Sequence, residues 1–138
     1  METSVKISHL DKMQFQGEIN GHRITLDAAA SAGGEDKGPR PKPLMLLSLA
    51  GCTAMDVISI LRKMRVELED FSVEVQADQT NEHPKHYHKM HVIYSFKGKD
   101  LPMDKLKKAV NLSEERYCGV SAVYRQAVDM TSEIKVNE

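Results

Sequence analysis

The chain has no surplus of either charge. Its 138 residues carry 19 lysines and arginines against 20 aspartates and glutamates, a formal net charge of −1. No broad field therefore argues for a nucleic-acid partner or for an anionic membrane surface. Cysteine is scarce, with two residues in the whole chain. The opening Met1-Glu-Thr-Ser-Val-Lys6 lacks the basic start and apolar core of a signal peptide. Two cysteines without such a segment read as reduced thiols in the cytoplasm. No apolar run approaches the ~20 residues that span a bilayer, so no membrane partner is expected. Internal repeats and low-complexity tracts are absent too. What remains, with 41% apolar and 28% charged residues, has the composition of a soluble globular protein. Its length fits one domain over residues 1–138.

The order of elements is legible from turn signals and periodicity. Val5, Ile7 and His9 alternate as on a strand, Phe15 follows on a second, and Asn20-Gly21 signals a hairpin whose return strand is His22–Asp27. Residues 28–41 are small, glycine-bearing and proline-broken, which predicts a long loop of the kind that tends to be functional or mobile. From Pro43 to Met64 the pattern is helical and apolar around most of the circumference, so burial on more than one side is expected, with a second subunit as the additional cover. Val66–Ala77 and Lys85–Lys97 read as two longer strands. Asp100–Asp104 should cap a second helix of about a dozen residues. Residues 118–125 suit a further short helix, and Ala127–Val136 a closing strand. This is an α+β arrangement.

Chemistry concentrates on the cysteines. Cys52 lies in the most apolar stretch, and Cys118 opens Cys118-Gly-Val-Ser-Ala-Val123, 66 positions later. That separation excludes a local metal knuckle or a CxxC loop, but it permits a nucleophile and a resolver that meet in the fold. A buried free cysteine is more often a small hydrophobe than a reagent. A reactive one needs a cation, a helix N-terminus or a base to lower its pKa. Cys52 is too deep in its helix to use the N-terminus, so the positive charge must come from elsewhere: Arg40 first, then Arg23 or Lys42. Asp56 stands one turn after Cys52 on the same face. It opposes thiolate formation unless a cation pairs with it; the alternative is a plain hydrogen bond to a neighbouring element. His83, His86, His88 and His91 are close in sequence but do not share one face, so solvated strand histidines are expected rather than a zinc site. No metal or cofactor is expected.

Gly38-Pro-Arg-Pro-Lys-Pro-Leu-Met-Leu-Leu-Ser-Leu-Ala-Gly-Cys-Thr-Ala-Met-Asp-Val-Ile-Ser-Ile-Leu-Arg-Lys-Met-Arg65 resembles the central-helix signature of the OsmC/Ohr superfamily. Glu115-Arg-Tyr-Cys-Gly-Val-Ser-Ala122 is similar to that family's second cysteine motif. The resemblance implies two β-sheets wrapped around long central helices in an intertwined homodimer. It also implies a thiol-dependent peroxidase for organic hydroperoxides, with Cys52 peroxidatic and Cys118 resolving, restored by a lipoyl or thioredoxin-type dithiol. One departure is visible. The glutamate that family members carry near the start of this helix is replaced by Lys42-Pro43. Three expectations follow: a homodimeric cysteine peroxidase; a non-catalytic redox sensor or small-ligand-binding protein on the same scaffold; and, more weakly, a cysteine acyl transferase or hydrolase, which would need a histidine beside Cys52.

Overall fold

Asn20 and Gly21 both take positive φ, 50° and 78°, the backbone that a two-residue hairpin turn demands. This turn joins β2 (Gln14–Ile19) to β3 (His22–Leu26), and β1 (Lys6–Asp11) pairs with β2 on its other side. The resulting three-stranded antiparallel sheet belongs to the first of two compact units, Met1–Met45; the second is Leu46–Glu138. These assignments come from a computed structural model that describes all residues 1–138.

The loop after β3 is ordered around one buried side chain. Asp27 is 3% exposed. Its carboxylate accepts the N–H groups of Ala28 at 2.7 Å and of Glu35 and Lys37 at 3.1 Å each. Burial alone would raise its pKa, but these three N–H bonds and the charge of Arg40 outweigh it and hold the carboxyl below its usual value. A single 3-10 turn, Ala30–Ala32, lies inside the loop.

In the second unit, β4 (Asp70–Gln79), β5 (Tyr87–Lys97) and β6 (Asp129–Val136) form another three-stranded sheet with β5 central. β4 runs antiparallel to β5 and β6 parallel to it. A parallel neighbour needs a crossover, which α2 (Met103–Leu112), a π-helical turn at Ser113–Tyr117 and α3 (Gly119–Tyr124) provide. Period two places Met90, Val92, Tyr94 and Phe96 of β5 in the core, together with Leu106, Ala109 and Val110 of α2. The long helix α1 (Leu44–Lys63) contributes the stripe Leu49, Thr53, Val57 and Leu61, each one turn after the last.

Several boundaries differ from the sequence expectation. β4 begins at Asp70, because Arg65 takes positive φ (59°) and the chain from Val66 to Glu69 is used to leave the helix. No side chain caps α2; the N-cap position is Pro102, which has no N–H to spare and no side-chain acceptor. The expectation about apolar runs is also corrected. α1 is 20 residues and apolar enough to cross a bilayer by length and composition, although only 22% of that span is buried within the chain. The strand histidines do not converge: His91 lies 2.7 Å from Thr131 and 3.2 Å from Glu133 on β6.

Candidate active site: two thiols and a carboxylate

Helix geometry puts Cys52 and Asp56 on one face of α1, one turn apart. The π-helical turn brings the second thiol to them. In it, the Cys118 N–H donates to the Ser113 carbonyl, five residues back, at 2.7 Å. The wider turn ends α2 and starts α3 at Cys118, which takes the N-cap position with φ −76° and ψ 101°. Single π turns of this kind are frequent at functional sites. The reactive atoms of Cys52, Asp56 and Cys118 all lie within 4.8 Å of one another. Cys118 is buried and Cys52 half-buried, and both are free thiols. The Cys118 sulfur accepts the Ser121 N–H at 3.3 Å, and the Cys52 sulfur accepts the N–H of Val120.

Two sulfurs and one carboxylate make a three-donor set, short of the four that closed zinc sites use. One Asp56 oxygen is already engaged, since Ser113 Oγ donates to Oδ2 at 2.9 Å. Electrostatically the site holds Cys52 as a thiol. Burial raises its pKa, the Cys118 thiol and the Asp56 carboxylate raise it further, and only the Val120 N–H opposes. The arrangement as it stands keeps the nucleophile in reserve, so a cation must reach it before a thiolate forms at neutral pH.

Sequence reasoning identified three of these groups and missed the polar structure behind them. Ser113 Oγ is 2.8 Å from Thr53 Oγ1, which is 2.9 Å from the Tyr94 hydroxyl. Tyr94 donates to Glu114 Oε2 at 3.2 Å, and Ser132 to Glu114 Oε1 at 3.1 Å. Thr53, Ser113 and Tyr94 are each 0% exposed. Burial pushes the Tyr94 hydroxyl far up and raises Glu114 as well, although Ser132, Tyr94 and Arg125 work against the shift at Glu114. The available signal was polar residues at core positions of α1 and β5, since buried polar groups require partners. Glu114 also lines a cavity of about 270 Å³ together with Ser121, Arg125 and Ser132.

Arg40, the preferred activating cation, belongs to the first unit. Its Nη1 donates to Asp36 at 2.6 Å and to the Gly38 carbonyl at 3.0 Å. It borders an apolar cavity of about 420 Å³ among Ile7, Met13, Phe15 and Leu26. Arg23 is exposed on β3.

Two three-stranded sheets, and paired thiols carried on a long helix and a π-turned crossover, define an α+β dithiol protein. The chain belongs to the OsmC-like protein family, whose model matches residues 34–133. It is 31% identical over 132 residues to Protein YhfA of Escherichia coli strain K12, covering 95% of this chain and 96% of that one. A crystal structure of a protein from Aquifex aeolicus VF5 is 29% identical, with a TM-score of 0.83 over 100% of this chain and 99% of its own. The Organic Hydroperoxide Resistance Protein OhrB of Bacillus subtilis shares the fold at 20% identity, with a TM-score of 0.69 and 98% of both chains covered.

Proposed function

We propose that the chain is a cofactor-free, homodimeric, cytoplasmic thiol peroxidase for organic hydroperoxides. The observation that carries this reading is the convergence of the only two thiols within 4.8 Å. The Cys52 sulfur attacks the terminal peroxide oxygen. An S–O bond forms, the O–O bond breaks, and the departing alkoxide takes up the proton that the thiol lost. Cys52 is oxidised to the sulfenic acid and the peroxide reduced to an alcohol. Cys118 then attacks the sulfenic sulfur, closes the disulfide and expels its own proton with hydroxide as water. An external dithiol, lipoyl or thioredoxin-type, exchanges through a mixed disulfide and returns both thiols. Apolar neighbours of Cys52 on α1 favour an organic over a hydrogen peroxide substrate. A cation from outside the site's own surroundings must lower the thiol pKa and pair with Asp56, whose carboxylate otherwise raises it.

The homodimer is supported by α1 itself. Opposite its buried stripe runs Leu47, Gly51, Met55 and Ser59, on which Leu47 is 66% and Met55 77% exposed, and a Cβ at Gly51 would meet open space. An apolar helix face of this kind calls for a second helix.

The test mixes reduced protein with cumene hydroperoxide, and separately with hydrogen peroxide, and follows the disulfide by stopped flow and peptide mass spectrometry. Rapid, stoichiometric Cys52–Cys118 closure with the organic peroxide, lost in Cys52→Ser, is expected. Reaction no faster than a free thiol would leave the second reading, a redox sensor or ligand-binding protein on the same scaffold. One observation favours that alternative: within its own surroundings the Cys52 thiol is pushed up, not down.

A further inference from the structure

The polar chain behind the thiols has a proton count that does not close with ionised carboxylates at both ends. Four contacts link Asp56 to Ser113, Ser113 to Thr53, Thr53 to Tyr94 and Tyr94 to Glu114, at 2.9, 2.8, 2.9 and 3.2 Å. Each hydrogen bond needs one proton, and each hydroxyl owns one. Ser113 spends its proton on Asp56 and Tyr94 on Glu114. Thr53 then serves only one neighbour, and the other contact sets two oxygens together with no hydrogen between them. All three hydroxyls are fully buried, so solvent does not supply the missing proton. A carboxylic proton at one end does.

We infer that Asp56 and Glu114 share a single proton through Ser113, Thr53 and Tyr94, and that this chain relays protons between the thiol pair and the cavity beside Glu114. With the proton on Glu114, all four bonds point towards a charged Asp56. With the proton on Asp56, all four point the other way and Glu114 is charged. Both orders satisfy every hydroxyl, so the two states differ only in which end is neutral. Burial raises the Glu114 pKa against the opposing bonds of Ser132 and Tyr94 and the charge of Arg125, while Glu115 adds to the rise. That rise favours the cavity end as the proton's resting place.

A thiol of the pair gives its proton to Asp56. Glu114 gives its proton to water in the cavity, and the three hydroxyls turn. One proton has entered at the thiols and one has left at the cavity, with one still in the chain. Reversal returns a proton to whatever base the thiol chemistry leaves behind, and Glu114 refills from the cavity. Asp56 can make this exchange directly or through one water, its carboxylate lying within 4.8 Å of both sulfurs. Ser113, Thr53 and Tyr94 are positioning residues that act through it. None of this depends on peroxide as the oxidant.

The test uses the reduced full chain and no peroxide. Infrared titration, with carbon-13 in the glutamate side chains, reads the protonated-carboxyl band that Glu114→Gln removes. Thr53→Val is isosteric and does not touch Glu114. It leaves Ser113 donating to Asp56 and Tyr94 to Glu114, so no shared proton is needed. The midpoint of the Glu114 band should fall by about one pH unit, the equivalent of a tenfold shift in proton affinity. Ser113→Ala relieves the count in the same way from further off and should lower the midpoint too, which covers the case that one variant folds poorly. In parallel, diamide closes the Cys52–Cys118 disulfide: one thiolate adds to its N=N bond, the other displaces the reduced hydrazine, and two electrons pass to it. The thiol protons leave through Asp56, and solvent water protonates the hydrazine nitrogens. That closure should slow by about tenfold in Thr53→Val, the low end of proton-transfer effects. An unchanged midpoint would mean that burial alone holds the proton, and an unchanged closure rate that nothing travels along the chain; either overturns the inference. Failure with cumene hydroperoxide leaves both readouts standing.

Discussion

At the scale of single residues, the site is a contest over the charge on Cys52. Burial and two neighbours hold its proton on, and one N–H favours the thiolate. Asp56 is the removable part of that balance. Two charges 4.8 Å apart interact by roughly 1 kcal/mol even at the dielectric of water, which is roughly fivefold in thiolate population. Asp56→Asn should therefore lower the Cys52 pKa and speed its alkylation by iodoacetamide at pH 7 by about fivefold or more, read as the pH profile of labelling in the reduced protein. An unchanged profile would mean that Asp56 is screened from the sulfur. Cys52 and Asp56 were legible as neighbours because helical spacing fixes which side chains share a face, and Cys118 was legible as their partner through the family resemblance of its motif. Ser113, Thr53, Tyr94 and Glu114 were not. Their partners are 18 to 60 positions away, and no local pattern records such pairings.

At the scale of elements, local chemistry explains what could be read. Asn20-Gly21 dictates its turn, and the apolar run from Pro43 dictates α1, whose bounds differ from the expectation by one residue at each end. The π-helical turn at Ser113–Tyr117 was hidden because periodicity continues across it, yet it aligns Ser113 and Cys118 with α1. The loop of residues 28–41 was legible as a loop but not as an ordered one, since its order comes from the buried Asp27 carboxylate together with backbone bonds such as Asp27 N–H to Pro39 and Asp36 N–H to Ala28. That carboxyl titrates below its ordinary value, so its contribution is fully present above the unfolded-state pKa, near 3.8. It is lost as pH falls through the still lower folded-state pKa. Amide exchange at Ala28, Glu35 and Lys37 should stay protected down to that range and rise below it. Asp27→Ala should abolish the protection at neutral pH, because three N–H donors lose their acceptor. Protection that survives in Asp27→Ala would assign the loop's order to something else.

At the scale of the whole molecule, α1 poses the main unsolved packing problem of a lone chain. One face is closed by Leu49, Val57 and Leu61, each 0–1% exposed, while Leu47 and Met55 lie open on the other. The sequence pattern, apolar almost all round, is that of a helix covered on two sides, and the single chain covers one. If a second copy supplies the rest, a charge at Met55 is harmless to the isolated chain and unpaired inside the pair. Met55→Glu should then cost association about 3–5 kcal/mol, weakening the dimer by roughly a hundredfold or more. Sedimentation velocity at micromolar concentration should show the wild type at twice the chain mass and the variant at one. Leu47→Glu, five positions before Cys52 and off its face, should dissociate the dimer too and separates assembly from chemistry, which Met55, one turn from the thiol, does not. Disulfide closure by diamide that persists in the monomer would place the whole thiol pair within one chain. Closure lost along with the dimer would mean that the second subunit completes the site.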